Sequence, residues 1–398
     1  MVVGQSGKLI KHECRYCNFT LISENEFSFG KIPMTPNAIE TGELLKNGKY
    51  FEYNLEIIVC KNCGLIQQLH SPDPDILYFR FKNQHVGKLW EKHYDEFSSF
   101  ILTEWSKDMN ILEIGAGDLK LANILVKNKI SRISVVEKNI IPEKLNNKIK
   151  FYEGFLEDIS FSEKYDLVYS SHVFEHIDVI EKHFKKIVSI MNKKGKIIIS
   201  FPDFEYWISN FYLNSFSQEH PIFPLIDNVR YLFSKFGFEI TKIQSFENHS
   251  LFISAELNNP SNLINPKNIY QKNYQLVQEY FNKFKKFNIF LKKEIKNKKI
   301  YVFGANSGTQ ILLKKILPNS QIEGILDNAS IKQKKQLYGF NHVVYTPEIL
   351  YKLNNFKDNI VLVFTGAYVQ EIKEQIKSIN EKISILTIND FFEILKKD

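Results

Sequence analysis

A glycine-rich segment near the middle of the chain constrains its fold more than any other feature. Residues 110–114 read Asn-Ile-Leu-Glu-Ile and predict a buried strand, which runs into a turn that contains Gly115 and Gly117. Glycines at such a turn let the backbone approach a ligand closely. A dinucleotide site would need a third glycine at the position of Lys120, where a predicted helix begins. The turn therefore predicts a nucleotide-type α/β fold with some other ligand.

Alternating strands and helices continue after this turn. A second strand at 133–136 ends in Glu137, whose carboxylate is placed to hydrogen-bond two ribose hydroxyls. Further strands are predicted just before residue 152, at 165–170 and at 196–201. This order predicts a doubly wound sheet that binds its ligands at the carboxyl ends of the strands.

The glycine-rich turn followed by an acidic residue resembles the S-adenosylmethionine (SAM) site of class I methyltransferases. One departure is Leu119, where many of these enzymes carry a third glycine. The resemblance implies SAM as cofactor, with its adenine near residues 155–156. The residues that it assigns to SAM are Glu113, Gly115, Gly117, Glu137, Phe155, Leu156, Ser171 and His172. A degenerate Rossmann domain without catalytic activity is the alternative.

All four cysteines lie in the first 63 residues, as Cys14-Arg-Tyr-Cys17 and Cys60-Lys-Asn-Cys63. Two such pairs supply four thiolates in a tetrahedron, which is the arrangement of a closed structural zinc site. The 42 residues between the pairs exceed the length of a simple zinc ribbon and predict a small subdomain. Because no ligand position is left for water, Zn²⁺ would stabilise the fold. A redox pair and chance clustering are the alternatives.

The segment 259–298 predicts an amphipathic helical connector with one apolar and one lysine-rich face. Its apolar face is predicted to consist of Tyr270, Tyr274, Val277, Phe281, Phe284, Leu291 and Ile295. We expect this helix to pack between two domains with its basic face in water. Binding to an anionic membrane surface is the alternative.

A second nucleotide-type pattern begins at residue 299. The sequence from Ile300 to Gly308 predicts a strand, a turn containing Gly304 and a helix, and further strands follow at 322–327 and 360–364. Two glycines outside the Gly-x-Gly-x-x-Gly spacing are a weak indication of a cofactor. The pattern therefore predicts a Rossmann-like domain without identifying its ligand.

The chain as a whole resembles the zinc-containing, SAM-dependent sugar C-methyltransferases, which methylate C3 of nucleotide-linked keto-deoxysugars. The resemblance extends over nearly all 398 residues. It is carried by the cysteine pairs, Gly-Leu-Ile-Gln after Cys63, the segment Trp90-Glu-Lys-His93, the SAM core, the C-terminal unit, Glu175-His176 and Glu219-His220. The family motif Tyr-His-Glu-His here reads Ser217-Gln218-Glu219-His220.

The resemblance implies a role for each residue of this motif that is retained. Methylating a carbon beside a ketone requires a base to remove a C–H proton, and an imidazole with a pKa near ~6.5 suits that task. His220 is expected to be the base, Glu219 to orient it, and His176 to donate to the enolate oxygen.

The C-terminal domain is expected to hold the nucleotide part of the substrate. The residues implied are Gly304, Asn306, Ser307 and Asp327. Gly366-Ala367 stands where the family often has Trp-Asn. O- or N-methylation of a nucleotide sugar or another surface-polysaccharide precursor is one alternative function. A zinc-dependent nucleic-acid-binding protein is the other.

The distribution of charge argues against nucleic acid as the ligand. Lys and Arg number 52 and Asp and Glu 45, a net charge of +7. Residues 260–300 contain ten lysines and two glutamates, or +8, so the rest of the chain sums to −1. The surplus belongs to the connector and predicts no general basic surface.

The predicted organisation is a zinc-binding module at 1–85, a methyltransferase domain at 86–258, the connector at 259–298 and a Rossmann-like domain at 299–398. The N-terminus lacks a secretory signal, and no apolar run approaches the ~18–20 residues that span a bilayer. We expect a cytoplasmic monomer or homodimer. Its predicted partner is a small nucleotide sugar, with no nucleic acid and no stable membrane insertion.

Overall fold

A computed structural model describes residues 9–10, 13–21, 26–46, 48–77, 86–138, 147–258, 269–317, 322–353 and 358–396. The first ten residues of the predicted connector, 259–268, lie outside this part of the chain. Over the described residues, every helix is too short or too polar to span a bilayer.

The N-terminal module is built mainly of short strands. These are β1 (Leu9–Ile10), β2 (Glu26–Pro33), β3 (Ala38–Ile39), β4 (Leu45–Lys46), β5 (Lys49–Tyr50), β6 (Glu52–Val59), β7 (Ile66–Gln68) and β8 (His70–Ser71), with one helix, α1 (Pro74–Leu77). Buried residues alternate along the first part of β6, which is the pattern of a strand with one face in the core. Strand β6 pairs with β2 on one side and β7 on the other, in an antiparallel sheet.

The central domain is a mixed α/β unit, which confirms the predicted fold class in its coarser form. Its helices are α2 (Lys88–Glu104), α3 (Lys120–Lys127), α4 (Ile180–Ile190), α5 (Phe204–Ser209) and α6 (Ile226–Lys235). Its strands are β9 (Ile111–Ile114), β10 (Ile133–Glu137), β11 (Ile149–Glu153), β12 (Tyr165–Ser171), β13 (Met191–Pro202), β14 (Ile222–Phe223), β15 (Phe238–Phe246) and β16 (Ser250–Leu257).

Seven of these strands form one sheet in the order β11-β10-β9-β12-β13-β16-β15. The first five are parallel, and β16 and β15 close the sheet in antiparallel fashion. The chain order reverses between β9 and β12, so a crevice opens at their carboxyl ends, where ligands bind in sheets of this kind. β13 begins at Met191, five residues before its predicted start. Met191 pairs with Tyr165 and the pairing resumes between Lys196 and Leu167, so residues 192–195 form a bulge within the strand.

The connector forms helix α7 (Ile269–Glu294), whose apolar face is covered by protein. Its ring contacts include Phe27 with Tyr274 at 5.2 Å between centroids, and Phe287 with Phe391 of the C-terminal domain at 5.2 Å. The buried side extends beyond the predicted face to Tyr280, Phe287 and Phe290. This packing leaves no continuous apolar face on the helix for a membrane surface.

The C-terminal domain contains a second sheet with helices around it. Its elements are β17 (Lys299–Phe303), α8 (Ser307–Lys315), β18 (Ile322–Leu326), β19 (Gln336–Leu337), β20 (Val344–Tyr345), β21 (Asn359–Val363), α9 (Val369–Ile379), β22 (Ser384–Thr387) and α10 (Ile388–Leu395). Five strands run parallel in the order β20-β18-β17-β21-β22. The order reverses between β17 and β21, which places the Gly304 turn at this sheet's switch point.

Two strand pairings connect the domains. β14 of the central domain joins the N-terminal sheet beside β7, and β19 of the C-terminal domain pairs with β3. One hydrophobic core continues through all three sheets and helix α7. The domains are therefore held together by backbone pairing as well as by side-chain packing.

Candidate active site

The two cysteine pairs adopt the same local structure. In each, the amide four residues after the first cysteine donates to that cysteine's carbonyl, from Asn18 to Cys14 at 2.9 Å and from Gly64 to Cys60 at 2.8 Å. Asn18 and Gly64 both have positive φ, 57° and 67°. Two matched turns thus present their thiols toward one point.

The four thiols form a group that fits a zinc ion. The sulfur atoms all lie within 4.8 Å of one another, with 3.4 Å between Cys14 and Cys63 and 3.6 Å between Cys17 and Cys60. Zn–S bonds of ~2.3 Å in a tetrahedron require sulfur separations of about 3.8 Å, close to these values. Three of the four cysteines are buried. The donor set is that of a closed structural site.

The glycine-rich turn has the open backbone that a cofactor needs. A side chain at Gly115 would place its Cβ 2.4 Å from Val173, whereas a Cβ at Gly117 would meet no atom within 4 Å. The Gly117 amide donates to the Glu137 carboxylate at 2.9 Å, which joins the turn to the end of β10. Leu119 adopts a left-handed φ of 63°, a conformation that glycine reaches without steric cost.

The predicted cofactor residues divide into an exposed and a buried set. Phe155 is 55% exposed beside this turn, with Lys138 Nζ 4.6 Å from its ring, while Leu156 is buried. Glu113 is buried and accepts a hydrogen bond from the Tyr169 hydroxyl at 3.0 Å. Burial raises the pKa of Glu113 to about 8. Its carboxyl is therefore held inside the fold by Tyr169.

The predicted catalytic histidines meet at the carboxyl edge of the sheet. The rings of His176 and His220 lie 4.8 Å apart, edge to face. The His176 Nδ1 nitrogen is 3.0 Å from the Glu219 carbonyl oxygen. A carboxylate oxygen of Glu175 lies within 4.8 Å of both rings' nitrogens. The structure thus brings His176 and His220 together, places the backbone carbonyl of Glu219, not its carboxyl group, against His176, and adds Glu175.

Burial controls the protonation of this group. It lowers the pKa of His220 well below its ordinary value, helped by repulsion from His176 and His172. Burial likewise lowers the pKa of His176 and raises those of Glu175 and Glu219 to about 7. A neutral imidazole and two carboxyls that titrate near neutrality are well suited to proton transfer.

The cysteine module holds the loop that carries His220. The Gln68 side-chain amide donates to the carbonyl oxygens of Ser217, Gln218 and His220, at 2.9, 3.1 and 2.8 Å. Arg15, between the first two cysteines, reaches Asp178 on the other side of the site at 2.9 Å. The cysteine module therefore hydrogen-bonds two segments next to the histidines, one at 217–220 and the other at Asp178.

The residue that replaces the family's first motif histidine is structural. Gln218 is buried and donates to the Pro33 carbonyl at 3.2 Å and to the Gln310 side chain at 2.6 Å. Gln310 in turn donates to Thr35 and Tyr338. Gln218 thus joins the three domains.

The C-terminal residues predicted to face the substrate are mainly engaged in their own turn. Asp327 accepts from the amides of Ala305 and Ala329, both at 2.8 Å, and Asn306 caps helix α8. Ser307 is buried. Gly304 has a φ of 99°, which favours glycine.

A lysine of this domain faces the catalytic group. Lys332 donates to the Ala305 carbonyl at 2.9 Å, and its positive charge opposes the rise in the pKa of Glu219. Lys332 therefore brings a positive charge of the C-terminal domain within electrostatic range of Glu219.

Sequence reasoning missed a second histidine group next to the first. His93, His172 and His249 surround Trp90, whose ring centroid lies 5.0, 4.9 and 5.1 Å from theirs. His249 Nε2 lies 2.9 Å from the hydroxyl of Tyr368, a residue of the C-terminal domain. The i, i+3 spacing of Trp90 and His93 was the only local pattern that could have indicated this group.

Comparison with known proteins identifies the central part of the chain. Residues 83–243 match a family model described as a methyltransferase domain. The protein is a methyltransferase, and the open glycine-rich turn with Glu137 supports SAM as its methyl donor. No curated protein matches the chain.

Several solved methyltransferases share part of the fold. The 1,6-didemethyltoxoflavin N1-methyltransferase of Burkholderia thailandensis is 12% identical, with a TM-score of 0.36, over 43% of this chain and 81% of that one. The N-methyltransferase NodS of Bradyrhizobium japonicum is 12% identical, with a TM-score of 0.33, over 43% and 97%. A SAM-dependent methyltransferase of Mesorhizobium loti is 11% identical, with a TM-score of 0.34, over 41% and 99%. Likenesses of this size carry no argument about substrate or reaction.

Proposed function

We propose that this protein transfers a methyl group from SAM to a carbon next to a ketone, on a nucleotide-linked keto-deoxysugar. The observation that carries the proposal is the pair formed by half-buried His176 and buried His220, whose ring centroids lie 4.8 Å apart at the carboxyl edge of the sheet, with Glu175 beside them. Forming an enolate requires a base that is unprotonated at pH 7, because the C–H proton beside a ketone is only weakly acidic. An acceptor group with a more acidic proton has less need of such a base. The sugar class rests on the resemblance to the sugar C-methyltransferases.

The residues of the glycine-rich turn fit SAM. The open space at Gly117 admits a ligand against the backbone, and Glu137 stands at the end of β10 to accept from ribose hydroxyls. The exposed ring of Phe155 would cover the adenine. SAM supplies an electrophilic methyl group on a sulfonium, which a carbon nucleophile can take.

His220 would take the proton from the substrate carbon in this mechanism. Its ring packs edge-on against Phe204 at 5.6 Å, in apolar surroundings that keep the imidazole neutral. Removing the proton leaves an enolate, whose carbon forms the new C–C bond as the methyl–sulfur bond breaks. The departing electron pair stays on sulfur, and the released cofactor is S-adenosylhomocysteine.

His176 would stabilise the enolate oxygen. Its Nδ1–H donates to the Glu219 carbonyl at 3.0 Å, so Nε2 would carry a proton for the substrate oxygen only when the ring is an imidazolium, a state that the charge of Glu175 favours. Donation to a developing oxyanion in a water-poor site is the strongest form of such stabilisation. Lys332 would add positive charge near the same place.

The experiment that tests this proposal incubates the protein with SAM and a panel of dTDP-, GDP- and UDP-linked keto-deoxysugars. We expect S-adenosylhomocysteine release with at least one of them. NMR of the product should show a methyl group bound to carbon. A methyl ether or an N-methyl group would replace the proposal with the O- or N-transfer alternative. Release with no sugar of the panel would reject this substrate class.

A separate prediction concerns the cofactor site. Glu137→Gln should weaken S-adenosylhomocysteine binding by roughly 10- to 100-fold, because hydrogen bonds to a charged group are the stronger kind. Glu153→Gln is the matched control, since Glu153 is the exposed register partner of Glu137 on β11. Calorimetry measures both affinities. Equal affinities in the two variants would remove Glu137 from the ribose site.

A further inference from the structure

A continuous chain of hydrogen bonds links the catalytic group to the C-terminal domain. The Tyr368 hydroxyl lies 2.9 Å from His249 Nε2, and His249 Nδ1 lies 2.6 Å from the Ser250 hydroxyl. The same hydroxyl lies 2.9 Å from His172 Nε2, and His172 Nδ1 lies 3.2 Å from a Glu175 oxygen. Five side chains from three separate segments thus form one line.

Both ends of this line are suited to exchanging a proton. At the catalytic end, no described residue hydrogen-bonds the second Glu175 oxygen or Nδ1 of His220, although both atoms are buried. A carboxylate oxygen of Glu175 and a ring nitrogen of His220 lie within 4.8 Å, a distance that one water bridges. At the other end, the partly exposed Tyr368 belongs to the turn that precedes α9.

We propose that Tyr368, His249, Ser250, His172 and Glu175 form a proton relay that carries the proton taken from the substrate out of the catalytic group. This inference rests on the proposed role of His220 as base. Buried polar networks of this kind are costly unless their members are satisfied, and here each link satisfies two side chains.

The proton balance of the relay is simple. The imidazolium of His220 protonates the Glu175 carboxylate through the bridging water, which accepts one proton and donates another, and rotation of the carboxyl group then delivers the gained proton to His172 Nδ1. His172 Nε2 releases a proton to the Ser250 hydroxyl, and that hydroxyl gives its own to His249 Nδ1. His249 Nε2 then protonates the Tyr368 oxygen, whose original proton leaves to water. One proton enters, one leaves, and no bond between heavy atoms changes.

Other titratable groups surround His172 and belong in any titration of it. Its ring centroid lies 5.2 Å from that of His93 on α2 and 5.4 Å from that of His249. Glu175 lies on the same loop as His172, and the charge of His172 lowers the pKa of His220. The test must therefore separate transmission along the line from these direct neighbours.

A double-mutant cycle makes this separation without any acceptor substrate. NMR of the full chain labelled at histidine Cε1 follows the titration of His172 in wild type, Tyr368→Phe, Ser250→Ala and the double variant. Members of one network couple measurably, so Tyr368→Phe should shift the midpoint of His172 by about 0.4 pH units or more. The shift should vanish on the Ser250→Ala background, because the hydroxyl that connects the histidines is gone.

Ser254→Ala is the matched control, since Ser254 is also buried on β16, on the same face as Ser250, and lies outside the line. It should leave the coupling between Tyr368 and His172 intact. No shift in Tyr368→Phe, or an equal shift with and without Ser250, would overturn the relay. In turnover, Ser250→Ala should lower kcat while Ser254→Ala does not. If Tyr368 and His172 are coupled through Ser250 in the NMR experiment but His220→Ala retains turnover, the role of His220 as base is rejected and the hydrogen-bonded relay is retained.

Discussion

Replacing His220 with alanine should lower kcat by about 10²- to 10⁴-fold, the usual contribution of a positioned general base. The variant should still bind S-adenosylhomocysteine, because His220 lies in the segment that precedes β14 and is not part of the turn at Gly115 and Gly117. Burial lowers the pKa of His220, so the imidazole is already in its basic form at pH 7. Its contribution is lost only when the pH falls below that lowered pKa.

His342→Gln is the matched control for this variant. His342 is half-buried, and burial lowers its pKa as it does that of His220, but His342 lies in the C-terminal domain outside the catalytic group. Steady-state kinetics and calorimetry on the three proteins provide the comparison. Near-wild-type turnover in His220→Ala would assign the base to another residue, and Glu175 would be the next candidate because its carboxyl lies within 4.8 Å.

Removing the metal from the cysteine module should abolish both its fold and the activity. We expect one Zn²⁺ per chain by elemental analysis, held by Cys14, Cys17, Cys60 and Cys63. Structural zinc binding in small modules amounts to about 10–16 kcal/mol, which is more than the stability of most domains. Since β14 pairs with β7, and Gln68 binds three carbonyls of the catalytic loop, loss of the module should release His220.

Chelation followed by thermal unfolding and a turnover assay measures this effect. Stoichiometric Zn²⁺ should restore stability and turnover, whereas Mg²⁺ should not, because it prefers oxygen ligands. Cys63→Ser should reproduce the chelated state. Full activity in protein that carries no zinc and four titratable thiols would rule out the metal site. A Cys–Cys disulfide in the active protein would do the same.

Local sequence determined the elements whose residues interact with near neighbours. Helix α3 begins at Lys120, as predicted, because its apolar spacing and the preceding glycines are contained in about twenty residues. The cysteine pairs are also local signals, and each forms the same turn around its first cysteine. The buried parallel strands of the central and C-terminal sheets could be predicted for the same reason, since each is a short apolar run bounded by turns.

Tertiary structure alone decided which side chains meet at the site. Glu175 and His220 are 45 positions apart, and Ser250 and Tyr368 are separated by a whole domain boundary, so no periodicity relates them. The sequence predicted only part of the buried surface of helix α7. Three domains pack against this helix, so its buried surface is wider than the single apolar face that one packing partner requires. The sequence by itself determined a SAM-type sheet, a four-cysteine module and a second nucleotide-type fold. Only the packing of these units determined the histidine pair and the line to Tyr368, because contacts between distant segments depend on how sheets and domains assemble.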